Sequence, residues 1–459
     1  MAASTNILET IGNTPMVEVR SFDTGPCRLF LKLENQNPGG SIKDRPALSM
    51  VEAAERSGAI GPGGTLIEAT AGNTGIGLAL VARQKGYRLL LVIPDKMSQE
   101  KIFNLQAMGA EIRLTRSDVT RGHPEYYQDL AGRLADETAN SFFVNQFGNP
   151  ANPLAHEQGT GPEIWEQMDH KVDAVVCGVG SGGTITGIGR FFARQAPHVE
   201  MILADPLGSV LADQVNTGTP GPLGSWLVEG IGEDFIPEVS DLSLVSKAYK
   251  VADAEAFAAA RKLLVDEGIL AGSSSGTLLA GALAFCREQG EEKNVVTLVC
   301  DSGNKYLSKM YNDYWMLDQG FLEREIHGDL RDLIARPHAD RASVTTSPDD
   351  TLAAALSRMK LYDISQLPVL ADDNVVGIID ESDILWAIHR RHGAFTDHVA
   401  SAMSVSPETV EATSDIDTLM TIFRRDLTAI VVDGDSYLGV ITRIDLLNWL
   451  RRQDPQPAS

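Results

Sequence analysis

The chain has 459 residues, 43% hydrophobic and 22% charged, an ordinary globular balance that calls for two or three domains and argues against disorder. Its 62 acidic residues outnumber 39 basic ones, and the formal charge of −23 repels polyanions, so neither nucleic acid nor an anionic membrane is an expected partner. Cys27, Cys177, Cys286 and Cys300 include no CxxC pair and give no disulfide or metal framework, as befits a reducing compartment.

The N-terminal MAASTNILETIGNTP lacks the basic and apolar blocks of a signal peptide, and no apolar run approaches membrane-spanning length, so a cytoplasmic protein is expected. The first chemically suggestive segment is Asn37-Pro-Gly-Gly-Ser-Ile-Lys-Asp-Arg45. Pro38 and two glycines force a turn, and apolar periodicity from Pro46 to Ala54 predicts a helix with Lys43 at its N-terminus. The helix dipole disfavours an ammonium there, and an uncharged amine is what Schiff-base formation with an aldehyde cofactor requires. An exposed lysine in a polar turn reads the same in isolation.

Glu68-Ala-Thr-Ala-Gly-Asn-Thr-Gly-Ile-Gly77 then runs into a helix predicted over Ile76 to Lys85. Successive N–H groups at such a junction form a nest for a carboxylate; a plain glycine-rich turn is the other reading. Arg88–Ile93, Ala174–Cys177, Met201–Ala204 and Val295–Val299 read as buried strands, and Ser98–Met108 as a helix. Their alternation predicts an α/β fold with largely parallel sheets.

Cys177-Gly-Val-Gly-Ser-Gly-Gly-Thr-Ile-Thr-Gly187 follows a strand and opens a helix, with glycines for close approach and amides aimed at a phosphate. Gly178, Gly180 and Gly183 also satisfy GxGxxG, and Asp205 falls about 20 residues on, so a dinucleotide site competes at this point. Ala271-Gly-Ser-Ser-Ser-Gly-Thr277 is a further small-residue loop before a helix, which serine capping explains equally well.

Composition changes after Leu317. Asp318–Asp340 is charged, contains Pro337 and reads as a linker carrying one short helix. Beyond it Val376-Gly-Ile-Ile-Asp-Glu-Ser-Asp-Ile-Leu385 is echoed by Leu438-Gly-Val-Ile-Thr-Arg-Ile-Asp-Leu-Leu447, pairing Gly377 with Gly439 and Asp383 with Asp445. Two packed copies of one β–α unit are expected, with boundaries at 1–320, a linker over 321–338, and the repeats over 339–453.

In this order the four glycine- and serine-rich segments resemble the fold-type II pyridoxal-5′-phosphate (PLP) enzymes, the cysteine synthase and cystathionine β-synthase superfamily. The resemblance runs from residue 7 to about 320 and includes Leu8-Glu-Thr-Ile-Gly-Asn-Thr-Pro15, Asn145-Gln146 and Asn152-Pro-Leu-Ala-His156. Val228-Glu-Gly-Ile-Gly-Glu-Asp-Phe-Ile-Pro237 and Tyr314-Trp-Met-Leu317 are similar to its cystathionine β-synthase branch. A dinucleotide site leaves the other three motifs unexplained and loses its support.

The resemblance implies that Lys43 holds PLP and serves as general base, and that Asn73 meets the cofactor's phenolic oxygen. It implies a phosphate cradle of Gly180, Ser181, Gly182, Gly183 and Thr184, with Ser274 facing the pyridine nitrogen. Thr70, Ala71, Gly72 and Thr74, with Gln146, would clamp the substrate carboxylate, and Gly230 and Gly232 would line the entrance. A serine at the pyridine nitrogen makes a milder electron sink than an aspartate, suited to β-replacement. The expected reaction forms L-cystathionine from L-serine or O-acetylserine and L-homocysteine, the first step of transsulfuration, and release of hydrogen sulfide from cysteine is open to the same chemistry. A cysteine synthase using O-acetylserine and sulfide shares every cofactor residue; a non-catalytic sensor of an adenosine ligand is the alternative of another class.

Two residues depart from the pattern. Ala71 stands where many members have serine, and Glu233 where some have tyrosine; Glu233 is either a ligand for the ammonium of a second amino acid or solvated surface. Neither cysteine nor histidine precedes Cys27, so no haem is expected, and no metal. The repeats resemble a Bateman module, an α+β tandem of CBS domains, in which an aspartate after a Gly-x-x-Thr/Ser turn holds a ribose diol. That implies an adenosine-containing ligand, such as S-adenosylmethionine or an adenine nucleotide, at Thr442 and Asp445. The first repeat keeps Asp383 but has Asp380 at the hydroxyl position, and ligand-free dimerisation surfaces are the other reading. Amino-acid substrates and a homodimer or higher homo-oligomer complete the expectation.

Overall fold

The computed structural model describes every residue except 1–3, 71, 96–98, 121, 324, 392, 406 and 454–459, so Ala71 and Ser98 lie outside the described residues. Two units separate, one from Met1 to Tyr311 and one from Asn312 to Ala458. In the first, β1 (Met16–Glu18), β2 (Arg28–Lys32), β7 (Ala174–Cys177), β8 (Glu200–Pro206), β9 (Lys247–Val251) and β10 (Asn294–Leu298) form a sheet in the order β1-β2-β10-β7-β8-β9. Only the β1–β2 pair is antiparallel. A second, wholly parallel sheet has the order β5-β4-β3-β6, from β3 (Thr65–Ala69), β4 (Arg88–Pro94), β5 (Glu111–Thr115) and β6 (Ser141–Phe143).

Every residue of β3 and of β7 is buried. A strand covered on both faces has no polar side to show, which is why β7 is a continuous apolar run without alternation, whereas β3 buries Thr65 and Glu68 among its apolar residues. The loops that leave their C-terminal ends are the Glu68–Gly77 and Cys177–Gly187 motifs, each entering a helix, Asn73–Lys85 and Gly183–Gln195. Parallel α/β sheets bind ligands at this edge, so the topology brings both motifs to one place. The helix Asp44–Ser57 buries Ala47, Met50, Val51 and Ala54, an i, i+3, i+4, i+7 stripe, against Leu66, Leu78 and Val81. That packing fixes the helix whose N-cap position is Lys43; its far end stops at Gly58, at φ +72°.

The second unit contains two three-stranded sheets: β11 (Gln366–Ala371), β12 (Asn374–Asp380) and β13 (Ser404–Val405), then β14 (Thr409–Glu411), β15 (Ala429–Asp433) and β16 (Ser436–Ile441). Each central hairpin lies between two helices, Leu352–Tyr362 and Glu381–Arg390 in the first repeat, Ile416–Phe423 and Arg443–Gln453 in the second. Each carries an irregularity at the same place, after Val369 and after Val431, beside the paired glycines Gly377 and Gly439. A Cβ on Gly377 would meet Met403 and Ser404, and one on Gly439 would run into Ile334, so a crossing segment lies on each glycine. The stretch read as a linker does carry a short 3-10 helix, Leu330–Leu333, but it is packed. Leu330, Leu333 and Ile334 are buried in the second repeat's core with Leu419, Val431 and Ile441.

Candidate active site

A cavity of about 760 Å³ opens in the first unit at the C-terminal edges of its sheets. Lys43, Thr70, Gly72, Asn73, Thr74, Gln146, Gly180, Ser181, Gly182, Thr184, Gly230, Gly232 and Ser274 line it. Gly183 stands behind the wall, where a Cβ would run into the Asn152 side chain. Ala71 is outside the described residues, and Thr442, Asp445 and Asp383 belong to the second unit.

The Lys43 side chain points into this cavity, where its Nζ donates to Ser181 Oγ at 3.2 Å. Burial lowers its pKa, against the opposing pull of Cys300, Glu233 and Glu68. Desolvation therefore leads where the sequence suggested the helix dipole. Asn152 Nδ2 bridges the two motifs, donating to Ser181 Oγ at 3.0 Å and to the Gln146 carbonyl at 2.7 Å. Thr74 Oγ1 donates to Gln146 Oε1 at 2.7 Å, which leaves the amide hydrogens of Gln146 for a ligand. Beneath the nest, buried Glu68 accepts from Ala69 N at 3.0 Å and Gln146 N at 3.3 Å, and burial pushes its carboxyl up to about 7.

The loop 180–184 meets the requirements of a phosphate. A Cβ on Gly180 would run into the Gly230 carbonyl and one on Gly182, at φ +85°, into Ser240, so both positions exclude a side chain. The loop offers the hydroxyls of Ser181 and Thr184, no carboxylate, and the N-terminus of the Gly183–Gln195 helix. Thr184 Oγ1 lies 3.3 Å from Nε2 of His156, whose pKa burial and the nearby Arg45 hold well below its usual value. Asp205, the acid that completed a dinucleotide pattern, is fully buried and accepts from Ala212 N at 2.9 Å at the start of the helix Leu211–Thr217. It is a helix cap and does not line the cavity.

Ser274 sits in the first turn of the helix Ser273–Arg287, beside Cys300, whose thiol burial pushes up to about 12. Glu233 also lines the cavity; its carboxyl has no hydrogen-bond partner among the described residues, and burial pushes it up to about 8. It is a half-buried group in the cavity wall. Cys300 and Lys305 reach the site without any local signal in the sequence, and Asn152 only through the Asn152–His156 segment of the family resemblance. No group of three His, Cys, Asp or Glu that could hold a metal occurs among the described residues, and none of their helices is long and apolar enough to cross a membrane.

In the second unit, Asp445 Oδ2 accepts from Thr442 N at 2.7 Å and from Thr442 Oγ1 at 2.6 Å. Asp383 makes the matching reciprocal pair with Asp380, at 2.8 and 3.1 Å. Both aspartates thus cap helix starts. A cleft of about 690 Å³ in this unit lies elsewhere, between His338, Thr346, Arg358 and Asp372.

Residues 7–301 match the family described as pyridoxal-phosphate dependent enzyme, so the cavity is that of a PLP-dependent enzyme; residues 331–390 and 399–452 each match the CBS domain. The chain is 38% identical to the cystathionine beta-synthase of Dictyostelium discoideum, over 97% of this chain and 92% of that protein. It is 33% identical to that of Saccharomyces cerevisiae, over 97% of both. A solved hydrogen sulfide-producing enzyme from Fusobacterium nucleatum is 36% identical, with a TM-score of 0.60 over 66% of this chain and 98% of that one. The chain belongs to the cystathionine β-synthase family.

Proposed function

We propose that the chain replaces the β-substituent of serine or O-acetylserine with the thiol of homocysteine, giving L-cystathionine. The observation that carries the β-replacement chemistry is the placement of a desolvated Lys43 amine, a glycine-floored anion cradle, and Thr70, Gly72 and Thr74 around one cavity. Bound PLP supplies a sink for the electrons left at the substrate's α-carbon. Lys43 would hold it covalently, and its amine would take and return the proton at Cα; burial lowers its pKa, which keeps amine available for that task. The amides and hydroxyls of 180–184 would hold the phosphate, Asn73 the phenolic oxygen, and Ser274 the pyridine nitrogen as a neutral donor. Thr70, Gly72 and Thr74 orient the substrate carboxylate together with the free amide hydrogens of Gln146. With cysteine as the first substrate, the same bond cleavage releases hydrogen sulfide, in keeping with the activity in the Fusobacterium enzyme's name.

The unpartnered carboxyl of Glu233, which burial holds largely protonated at neutral pH, would ionise against an incoming ammonium, and a hydrogen bond to a charged group is worth about 1.5–3 kcal/mol; this supports an amino-acid thiol as second substrate. Product analysis with serine or O-acetylserine, crossed against homocysteine or sulfide, is expected to give cystathionine as the faster product. Glu233→Gln should raise KM for homocysteine roughly tenfold or more and leave the use of sulfide unchanged. Preference for sulfide in the native enzyme would instead make it a cysteine synthase.

We also propose that the second unit binds an adenosine-containing ligand at Thr442 and Asp445. Thr442 engages only Oδ2 of Asp445, which leaves Oδ1 for a ribose hydroxyl. Calorimetry with S-adenosylmethionine, AMP and ATP should detect binding, and Asp445→Ala should weaken it at least tenfold while basal turnover is retained. A ligand that distinguishes two arrangements of the protein would change activity severalfold, as couplings of about 1–3 kcal/mol do. Absence of binding by all three would reduce the repeats to packing surfaces.

A further inference from the structure

We propose that Lys305 is a positioning residue for the cofactor's phenolic oxygen, fixing the Asn73 amide with its NH2 edge available to the cavity and setting a positive charge behind it. This rests on the reading that Asn73 meets that oxygen.

Lys305 lies on the 3-10 helix Gly303–Tyr306 and lines the cavity. Its Nζ donates to Asn73 Oδ1. The other end of the same amide, Nδ2, donates to Asp301 Oδ2 at 2.8 Å, and that oxygen also accepts from the Tyr306 hydroxyl at 2.9 Å. An amide with a cation on its oxygen and a carboxylate on its nitrogen cannot flip without setting like against like. One Nδ2 hydrogen is then left for a ligand, and hydrogen bonds in such a chain polarise one another. Asn73 also opens the helix Asn73–Lys85, whose dipole adds positive potential at the same point.

The charge has a second task. Asp301 and Asp44 are fully buried, and each keeps an Oδ1 without a partner. Burial raises the pKa of both, and the Lys305 charge opposes that rise in both. Asp44 follows Lys43 directly, so one ammonium serves the start of the Lys43 helix and the start of the Asn73 helix. A cation at this place favours the ionised phenolic oxygen of a bound cofactor.

The test is the absorption spectrum of the holoenzyme without substrate, at matched cofactor occupancy. The ionised phenolic form absorbs in the visible and the neutral form in the near ultraviolet. Lys305→Met should lower the ratio of visible to near-ultraviolet cofactor absorbance at least threefold at neutral pH, and Lys305→Arg should largely restore it. A native spectrum in Lys305→Met overturns the proposal. Should that variant not fold, the neutral Lys305→Gln is read by the same criterion. Asn73→Ala separates the two levels of inference. If it shifts the spectrum while Lys305→Met does not, the role of Lys305 alone fails; if it too leaves the spectrum unchanged, the placement of Asn73 fails.

Discussion

Lys43→Ala is expected to give a folded protein with no borohydride-reducible link to PLP and with turnover reduced by at least about 10²–10⁴-fold, the range that a positioned acid–base group supplies. The helix it precedes does not depend on it, because the lysine side chain makes no capping hydrogen bond and the helix is held by Ala47, Met50, Val51 and Ala54. Removing an amine from an enclosed cavity also removes its desolvation cost, so the loss should be chemical and not structural. Borohydride treatment followed by mass spectrometry of the intact chain, alongside a melting curve, separates the two. Near-native turnover in the alanine variant would end the proposed mechanism.

The second large effect is expected at Gly180. A Cβ there meets the main-chain oxygen of Gly230, which cannot rotate away as a side chain would. That oxygen belongs to a loop pinned by the hydrogen bond from Gly232 N to Val179 O, 2.8 Å long, with Gly230 and Gly232 at φ +86° and +87°. Overpacking of this kind costs about 1–3 kcal/mol. The cheapest relief is a shift of the loop 180–184 itself, so Gly180→Ala should weaken PLP binding about tenfold or more. Gly290→Ala is the control, because nothing lies within 4 Å of the added carbon and its φ is ordinary. Titration of apoenzyme with PLP compares the three proteins. Equal affinities for native and Gly180→Ala enzyme would remove this loop from the cofactor site.

How much of this was legible depended on whether a feature is local. Buried parallel strands announce themselves, so Arg88–Ile93 and Ala174–Cys177 are found as β4 and β7. Glycine loops running into helices announce themselves as well, and Lys43, the nest and the cradle come to one cavity. Lys305 does not, because its meaning lies in Asn73, 232 positions away in the chain. Asn152 and Cys300 likewise acquire roles only when two sheets meet. Asp205 shows the opposite failure, a local pattern without its ligand: a capping carboxylate and a ribose-binding one occupy the same place after a strand. The linker is misread from composition. Its charges mask Leu330, Leu333 and Ile334, whose i, i+3, i+4 spacing is that of a buried helical face.

That packed segment bears on any attempt to divide the molecule. The stretch before the first repeat lies on Gly439 of the second and donates from His338 N to the Leu438 carbonyl at 2.8 Å, while the stretch before the second, Met403–Val405, lies on Gly377 of the first. The repeats are dovetailed, each completed by the chain that leads into the other. A fragment cut at residue 339 would leave its second half without Leu330, Leu333 and Ile334, and a lone repeat would be missing a wall. Dissection has to start upstream of Asp329.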